Sequence, residues 1–384
     1  MPTSRTTAGA ASPPLVWSGE GATPLWLPAM PAHRGPGRRA PVFYNPAMAV
    51  DRDLNLAILN AARAHRREPM DAWEMLGATG VRGLRWATET EALRSLTITE
   101  RAPEALAVLS RNAASAGSRV PVHVEDRDAR VPWDDGRRFA YVDLDPYGSP
   151  LPYLSSLWSA VGPGSLVAVT ATDMMVLAGA IPGACERIYG ARPLRGRLAP
   201  EGGLRILLAG LARSARERGL RVRPVLSYVH DHHVRAYLEV VRSGPADAED
   251  PIGRIDPGSW AGPSLGGRPP FGPLWLGALH DREWVDSLLP PLTAADPRRV
   301  ADAIGRFREE ARVDVPFYYE PNELAREAGL PRPPSLASLI GRILAAGHAA
   351  ARGHPRPTAI RTDADRSTLL RLVREPPDPA TDRP

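Results

Sequence analysis

Beyond Val42 the chain settles into a rhythm. Short apolar runs alternate with stretches whose apolar residues recur every three or four positions. That alternation of strand and helix patterns predicts a parallel sheet wrapped by helices. It starts with a helix over Arg52–Ala64, with Leu54, Ile58 and Leu59 on one face, and a strand over Ala72–Leu76. A helix opening at Arg82–Ala87, a strand at Ser95–Glu100 and a helix at Pro103–Ala114 follow, the last with proline near its start, where it is tolerated. Strands are then expected at Val120–Val124, Phe139–Leu144 and Ser165–Thr170, with a helix at Pro150–Ala160. A long helix at Leu204–Arg218 and strands at Arg221–Tyr228 and Val234–Val241 close this part.

The flanks read differently. Residues 1–41, rich in Pro, Gly, Ala and Arg, read as a flexible arm, within which Val16-Trp17 and Leu25-Trp26-Leu27 pair as a short hairpin. Residues 42–243 form the α/β, Rossmann-like domain, and the Pro- and Gly-rich stretch 244–273 reads as a linker. Residues 274–374 form a smaller α+β domain with helices at Pro297–Ala311, Pro321–Ala328, Ser335–Ala346 and Asp363–Val373 and a short strand at Thr358–Arg361, in part winged-helix-like. Residues 375–384 read as a disordered tail.

Composition narrows the chemistry. The 384 residues suit about two domains, and 43% hydrophobic with 24% charged residues is ordinary globular composition. No apolar stretch approaches the ~20 residues of a membrane span. Met1 to Pro14 holds no hydrophobic leader segment, so a cytoplasmic location is expected. One cysteine, Cys185, excludes an internal disulfide and a multi-cysteine zinc site. There is no lysine, so all 48 basic residues are arginine, which excludes a Walker A lysine and a pyridoxal-phosphate Schiff base. Arginine grips phosphate bidentately and stacks on bases, and the net charge of +5 permits an RNA partner.

Candidate chemistry lies where the predicted strands end. After the first comes Gly77-Ala78-Thr79-Gly80-Val81-Arg82-Gly83, whose glycines allow close backbone approach to a ligand at a strand-to-helix junction. After the second stands Glu100, placed to accept from ribose hydroxyls. After the third, Asp128 can accept from an adenine amine while the Ala129 amide donates to a ring nitrogen. All three belong at the carboxyl edge of one sheet, where open α/β folds bind ligands. At that same edge Asp145-Pro146-Tyr147 offers a carboxylate, a backbone carbonyl and a ring, a set suited to gripping a planar exocyclic amine. Together these point to S-adenosylmethionine-dependent methylation of an amino nitrogen. His230-Asp231-His232-His233 reads as a strand segment and not a metal site, because neighbours on a strand alternate faces.

Segments spread over Val42 to Val373 carry a closer likeness. They include Val42-Phe43-Tyr44-Asn45-Pro46 with Asp51-Arg52-Asp53, Gly77 to Arg85, Asp143 to Pro150, Val169-Thr170-Ala171-Thr172-Asp173, Gly202 to Leu207, Gly272 to Trp275, Pro316 to Glu320 and Pro357 to Asp363. In these the chain resembles the tRNA guanine-26 N2-dimethyltransferase family, especially its archaeal members. The resemblance implies a methyltransferase domain at 42–243 and a tRNA-binding domain at 274–374. It implies cofactor contacts from Arg52, Gly77, Gly80, Arg82, Glu100, Asp128 and Ala129, with Asp145 as the catalytic carboxylate in Asp145-Pro146-Tyr147. It implies substrate contacts at Phe43, Tyr44, Asn45 and Asp173, with Phe43 and Tyr147 as ring walls, S-adenosyl-L-methionine as cofactor, tRNA as partner, and no metal. Ala47 stands where the family usually has arginine, Pro200 where it has histidine, Glu100 where aspartate is common and Tyr147 where phenylalanine is common. The first two departures remove a charge and a donor and leave a second reading, a small-amine or nucleoside methyltransferase. A non-catalytic RNA-binding protein is the third, and Glu100, Asp128 and Asp145 argue against it.

Overall fold

The computed structural model describes residues 14–29, 42–181, 183–242, 250–258 and 260–375. The rest of the expected arm and linker, and the tail from 376, lie outside the described residues. Two compact units emerge, Met1–Ala129 with Pro290–Pro297 and Arg130–Leu289 with Arg298–Pro384.

In the first unit, β1 (Leu15–Glu20) and β2 (Thr23–Pro28) form the expected antiparallel hairpin. Leu25 and Leu27 are buried, and the hairpin rests on the two helices that flank β4. Then follow α1 (Ala49–Arg66), β3 (Met70–Glu74), α2 (Val81–Glu89), β4 (Leu93–Glu100), α3 (Pro103–Ser115) and β5 (Val122–Asp126). The three strands β3, β4 and β5 are parallel, in the order β5-β4-β3. Leu96 and Ile98 of β4 and Leu109 of α3 are wholly buried, as a sheet covered by helices requires.

The sequence gives α1 one apolar face, but the helix is buried on every side from Val50 to Leu59, Asp51, Arg52, Asp53 and Asn55 included. An internal salt network makes this possible for the charged positions. Arg52 donates to Glu20 through Nε and Nη2, both at 2.5 Å. Arg85 meets Glu20 at 3.0 Å, Asp53 at 2.8 Å and Glu89 at 2.9 Å. Burial raises the Asp53 pKa, and the Arg85 guanidinium opposes that rise. The hairpin thus supplies Glu20 as a core residue and is no loose extension of the chain.

The second unit contains β6 (Tyr141–Leu144), α4 (Leu154–Ser159), β7 (Leu166–Ala171), α5 (Met174–Leu177), α6 (Ala184–Tyr189), β8 (Arg192–Arg195), α7 (Ala199–Arg216), β9 (Leu220–His230) and β10 (His233–Arg242). Strands run in the order β6-β7-β10-β9, with β6 and β7 parallel and β10 antiparallel to both neighbours. The hairpin β9–β10 turns at Asp231, which has φ 46°, and pairs His230 with His233.

Part of the stretch read as a linker is folded. β11 (Ile252–Ile255) and β12 (Gly266–Trp275) form a three-stranded sheet with β8, in the order β11-β12-β8. Phe271, Leu274 and Trp275 are buried, and β12 packs on α7. Pro269 and Pro270 lie where the β12–β8 register breaks between Gly267 and Gly272, so they interrupt a ladder that is already open.

The remainder comprises α8 (Arg282–Ser287), α9 (Pro297–Glu310), α10 (Pro321–Glu327), α11 (Leu336–Ala345), β13 (Ala350–Arg352), β14 (Ile360–Thr362) and α12 (Arg366–Arg374). Strands β13 and β14 pair as an antiparallel ribbon. Helices α10 to α12 and the ribbon enclose a core that includes Leu324, Leu339, Ile343, Ile360 and Leu369. Among the described residues no helix is long and apolar enough to cross a membrane.

Candidate active site

In the first unit the glycine turn follows β3 directly. Gly80 has φ 76°, a conformation that an L side chain resists. A Cβ on Gly77 would stand 2.4 Å from Ile98 Cγ2, so the turn lies tight on β4. Gly83 is equally constrained, its amide donating to Glu74 Oε2 at 3.1 Å. Arg82 is buried at the first turn of α2.

Glu100 ends β4 and organises the loops around it. Its Oε2 accepts from the Ala78 amide at 2.8 Å, and its Oε1 from the amides of Arg101 and Ala102, both at 2.8 Å. A carboxylate offers about four acceptor positions, so Oε2 retains room for a hydroxyl donor. The Arg127 amide donates to the Glu100 carbonyl, which draws the loop after β5 to the same strand end. There Asp128 Oδ2 accepts from Arg101 at 2.6 Å, and Ala129 is buried. Gly77, Gly80, Glu100, Asp128 and Ala129 are therefore gathered at adjacent strand ends. An anchored acid and a tight glycine turn fit an adenosyl group.

Asn112 was not singled out from the sequence, yet it secures this turn. It is wholly buried; its Nδ2 donates to Thr79 O at 2.8 Å and to Trp26 O at 3.0 Å, and its Oδ1 accepts from Trp26 N at 2.7 Å. Arg52 sits with the proposed substrate residues, its Nη2 donating also to Asn45 O at 3.0 Å. The Asn45 side chain accepts from the Ala47 amide at 3.0 Å, and Tyr44 donates to Glu20 at 3.2 Å. Burial and the Glu20 carboxylate push the Tyr44 pKa up to about 12. Phe43 is half-buried.

In the second unit Asp145 lies half-buried beyond β6, Pro146 is buried, and Tyr147 is 54% exposed. Gly148, with φ 90°, donates to Thr172 Oγ1 at 2.6 Å, and the Thr172 amide donates back to Gly148 O at 3.1 Å. These bonds tie the Asp145 loop to the loop holding Asp173, whose carboxylate accepts from the Tyr189 hydroxyl. Beneath lies an arginine hidden in a strand pattern. Buried Arg235 pairs with Asp143 and donates to Thr170 at 2.6 Å and Tyr237 at 2.9 Å, and Asp143 also accepts from Tyr141 at 2.9 Å.

Pro200 occupies the second position of α7, where a missing amide hydrogen costs little, and Glu201 beside it is fully buried among arginines. A separate cluster joins His280, Glu310 and His354, whose ligand-type atoms lie within 4.8 Å of one another. The Val229 amide donates to His354 Nε2 at 3.1 Å, which leaves the His354 proton on Nδ1, 2.6 Å from Glu310 Oε2. Both His354 nitrogens are thereby used within the protein.

Parallel strands with ligand loops at their carboxyl ends, completed by the reversed β10 lying between β7 and β9, define a Rossmann-like methyltransferase. The solved structure described as Trm1 from Pyrococcus horikoshii with S-adenosyl-L-methionine superposes with a TM-score of 0.80 at 28% identity, covering 94% of this chain and 100% of that one. The family model for N2,N2-dimethylguanosine tRNA methyltransferase matches residues 34–254 and 267–374, and the chain belongs to that family. The tRNA (guanine(26)-N(2))-dimethyltransferase of Thermococcus kodakarensis is 34% identical over 87% of this chain and 93% of its own. That of Methanosphaerula palustris is 32% identical over 90% and 95%.

Proposed function

We propose that this protein methylates the exocyclic N2 of a tRNA guanine, at position 26, and that Asp145-Pro146-Tyr147 performs the transfer. The observation that carries the reading is the Asp145 loop itself: a half-buried carboxylate, a buried proline and an exposed ring, locked by the paired Gly148–Thr172 bonds. S-adenosyl-L-methionine supplies the methyl group on a sulfonium sulfur. Arg52, Gly77, Gly80, Arg82, Glu100, Asp128 and Ala129 hold it; Glu100 Oε2 takes a ribose hydroxyl.

Guanine N2 is a weak nucleophile because its lone pair is shared with the ring. The Asp145 carboxylate and the Pro146 carbonyl accept the amine hydrogens and return electron density to nitrogen. The larger contribution is positioning, since amine and methyl must be in line. As the N–C bond forms, the methyl C–S bond breaks and leaves a neutral thioether, and Asp145 takes the proton released from the amine. Tyr147 stacks on the extruded base, and Phe43, Tyr44, Asn45 and Asp173 keep the substrate role implied for them. Residues 42–243 carry the chemistry, and 274–374 hold tRNA by shape and by arginine–phosphate contacts, in the cytoplasm and without a resident metal.

The test is Asp145→Ala in a labelled methyl-transfer assay on unmodified tRNA, read by nucleoside mass spectrometry. The expected result is at least a ~100-fold loss of transfer with cofactor affinity unchanged. Lost cofactor affinity, or retained transfer, would overturn the role given to Asp145.

A further inference from the structure

Asp173 follows β7 and opens α5, and its carboxylate is engaged in an unusual way. Both oxygens accept from a single donor, the Tyr189 hydroxyl, at 2.9 and 3.0 Å. Tyr189 is 2% exposed and ends α6, where Arg213 fixes its carbonyl at 2.6 Å. The Tyr189 hydroxyl also meets Ser149, four residues beyond Asp145, so it bridges the two loops already joined by Gly148 and Thr172. Burial raises the Asp173 pKa, and the Tyr189 hydroxyl opposes the rise. The other titratable neighbour is buried Cys185, whose pKa burial and Asp173 push up to about 12, so it stays a neutral thiol. Apart from Tyr189 and its own backbone amide, Asp173 has no donor among the described residues. About one of its roughly four acceptor positions is left over, on a half-buried group beside Met175, which is 65% exposed.

We propose that Asp173 accepts the N1–H of the target guanine, and that Tyr189 is the positioning residue that aims it. The inference rests on the Asp145 reading and deepens it. Along the Watson–Crick edge of guanine the N1–H stands beside the C2 amine, so a base whose amine is held at the Asp145 loop presents N1–H to a neighbouring acceptor. Asp145 and Pro146 require only an amine at C2. Asp173 adds the demand for a hydrogen at N1, which separates guanine from any purine with a bare ring nitrogen there. A carboxylate set against a bare N1 places two acceptors face to face, which costs more than losing one bond.

The experiment uses the full chain and two synthetic tRNAs, with guanine or 2-aminopurine at the methylated position. 2-Aminopurine keeps the C2 amine, so the same N–C bond forms, the same C–S bond breaks and Asp145 receives the same proton, but its N1 is bare. Wild type is expected to favour guanine at least ~10-fold in kcat/KM. Asp173→Asn, whose amide can donate to a bare N1, should erase or reverse that preference. Tyr189→Phe removes the hydroxyl donor, lets burial lift the Asp173 carboxyl further, and so should move the acid limb of kcat/KM to higher pH while activity recovers in alkali. An unchanged base preference in Asp173→Asn, an equal loss on both bases, or an unmoved acid limb in Tyr189→Phe overturns the proposal. Its failure is separable from that of the parent reading: an inactive Asp145→Ala with an unchanged Asp173→Asn preference sinks only the role of Asp173, whereas an active Asp145→Ala sinks the reading beneath it.

Discussion

Glu201→Gln removes one charge from a densely ionic part of the core. Glu201 lies in the first turn of α7 with no exposure. Its Oε1 accepts from Arg205 at 2.7 Å and from the Phe317 amide at 2.9 Å, and its Oε2 from Arg361 at 2.9 Å. Arg361 also pairs with Glu310 and donates to Val315 O at 2.7 Å and Phe317 O at 3.0 Å. Burial alone would raise the Glu201 pKa; Arg361 and Arg205 overcome it and bring it from 4.5 down to about 2. At neutral pH that is worth about 3 kcal/mol, within the range for breaking a buried ion pair. Glutamine keeps the shape but leaves Arg205 and Arg361 facing Glu310 alone. A loss of about 3 kcal/mol lowers the transition of a unit this size by about 6–12 °C.

Scanning calorimetry at several pH values tests the sign as well as the size. A carboxylate whose folded pKa is depressed contributes stability above its unfolded pKa and loses it as pH falls toward the folded one. The gap between wild type and Glu201→Gln should therefore be full at pH 7 and narrow as pH drops from about 4.5 toward 2. A variant as stable as wild type at pH 7 would refute the reasoning, since desolvation would then have cancelled the pairing. A gap that stays constant into acid would refute it too, because the loss would then come from packing or the Phe317 amide.

Two further outcomes follow from the first unit. Glu100→Gln sets an amide hydrogen against one of the three backbone amides that the carboxylate now receives, so the dissociation constant for S-adenosylmethionine should rise at least ~10-fold by titration calorimetry, and an unchanged value would remove Glu100 from the cofactor site. Asn112→Ala orphans Trp26 N, Trp26 O and Thr79 O, which should destabilise the unit by about 2 kcal/mol and make the hairpin protease-sensitive; unchanged stability and protection would mean water replaces all three bonds.

The strand and helix rhythm was legible because period and turn chemistry agree along most of the chain. The run before Asp145 reads as a buried strand and is one, and α3 begins at Pro103 as its proline announces. Strands β11 and β12 escaped the linker reading of 244–273 because Pro and Gly are frequent there, whereas burial of Ile255 and Phe271 and the packing of β12 on α7 override composition. Short α5 and α6 hold too few turns to display a period, and with them Tyr189 escaped notice. Buried charge hid best: Arg85, Arg235 and Arg361 each look like a solvent-facing position, and each is fully buried because carboxylates far away in sequence meet it, while Arg205 is buried by Glu201 one turn away and the distant carbonyls of Trp275 and Gly277.

The same logic separates the two aspartates of Tyr141-Val142-Asp143-Leu144-Asp145. On a strand, residues two apart share a face, so hydropathy gives them equal standing. Their partners do not. Asp143 lies inside β6, 1% exposed, where Arg235 and Tyr141 occupy Oδ2 and the arginine continues to Thr170 on β7. It fastens β6 to β7 and β10 from within and faces no open surface. Asp145 is one pleat further on, past the last strand residue, where the chain bends through Pro146 into the Gly148 turn. A charge that fixes neighbouring strands favours a rigid strand end, and rigidity there would hold a carboxylate at the tip to the narrow geometry that the proposed methyl transfer needs. On the proposed role of Asp145, the buried pair is thus what would let the tip act, and the two acids serve different physical ends.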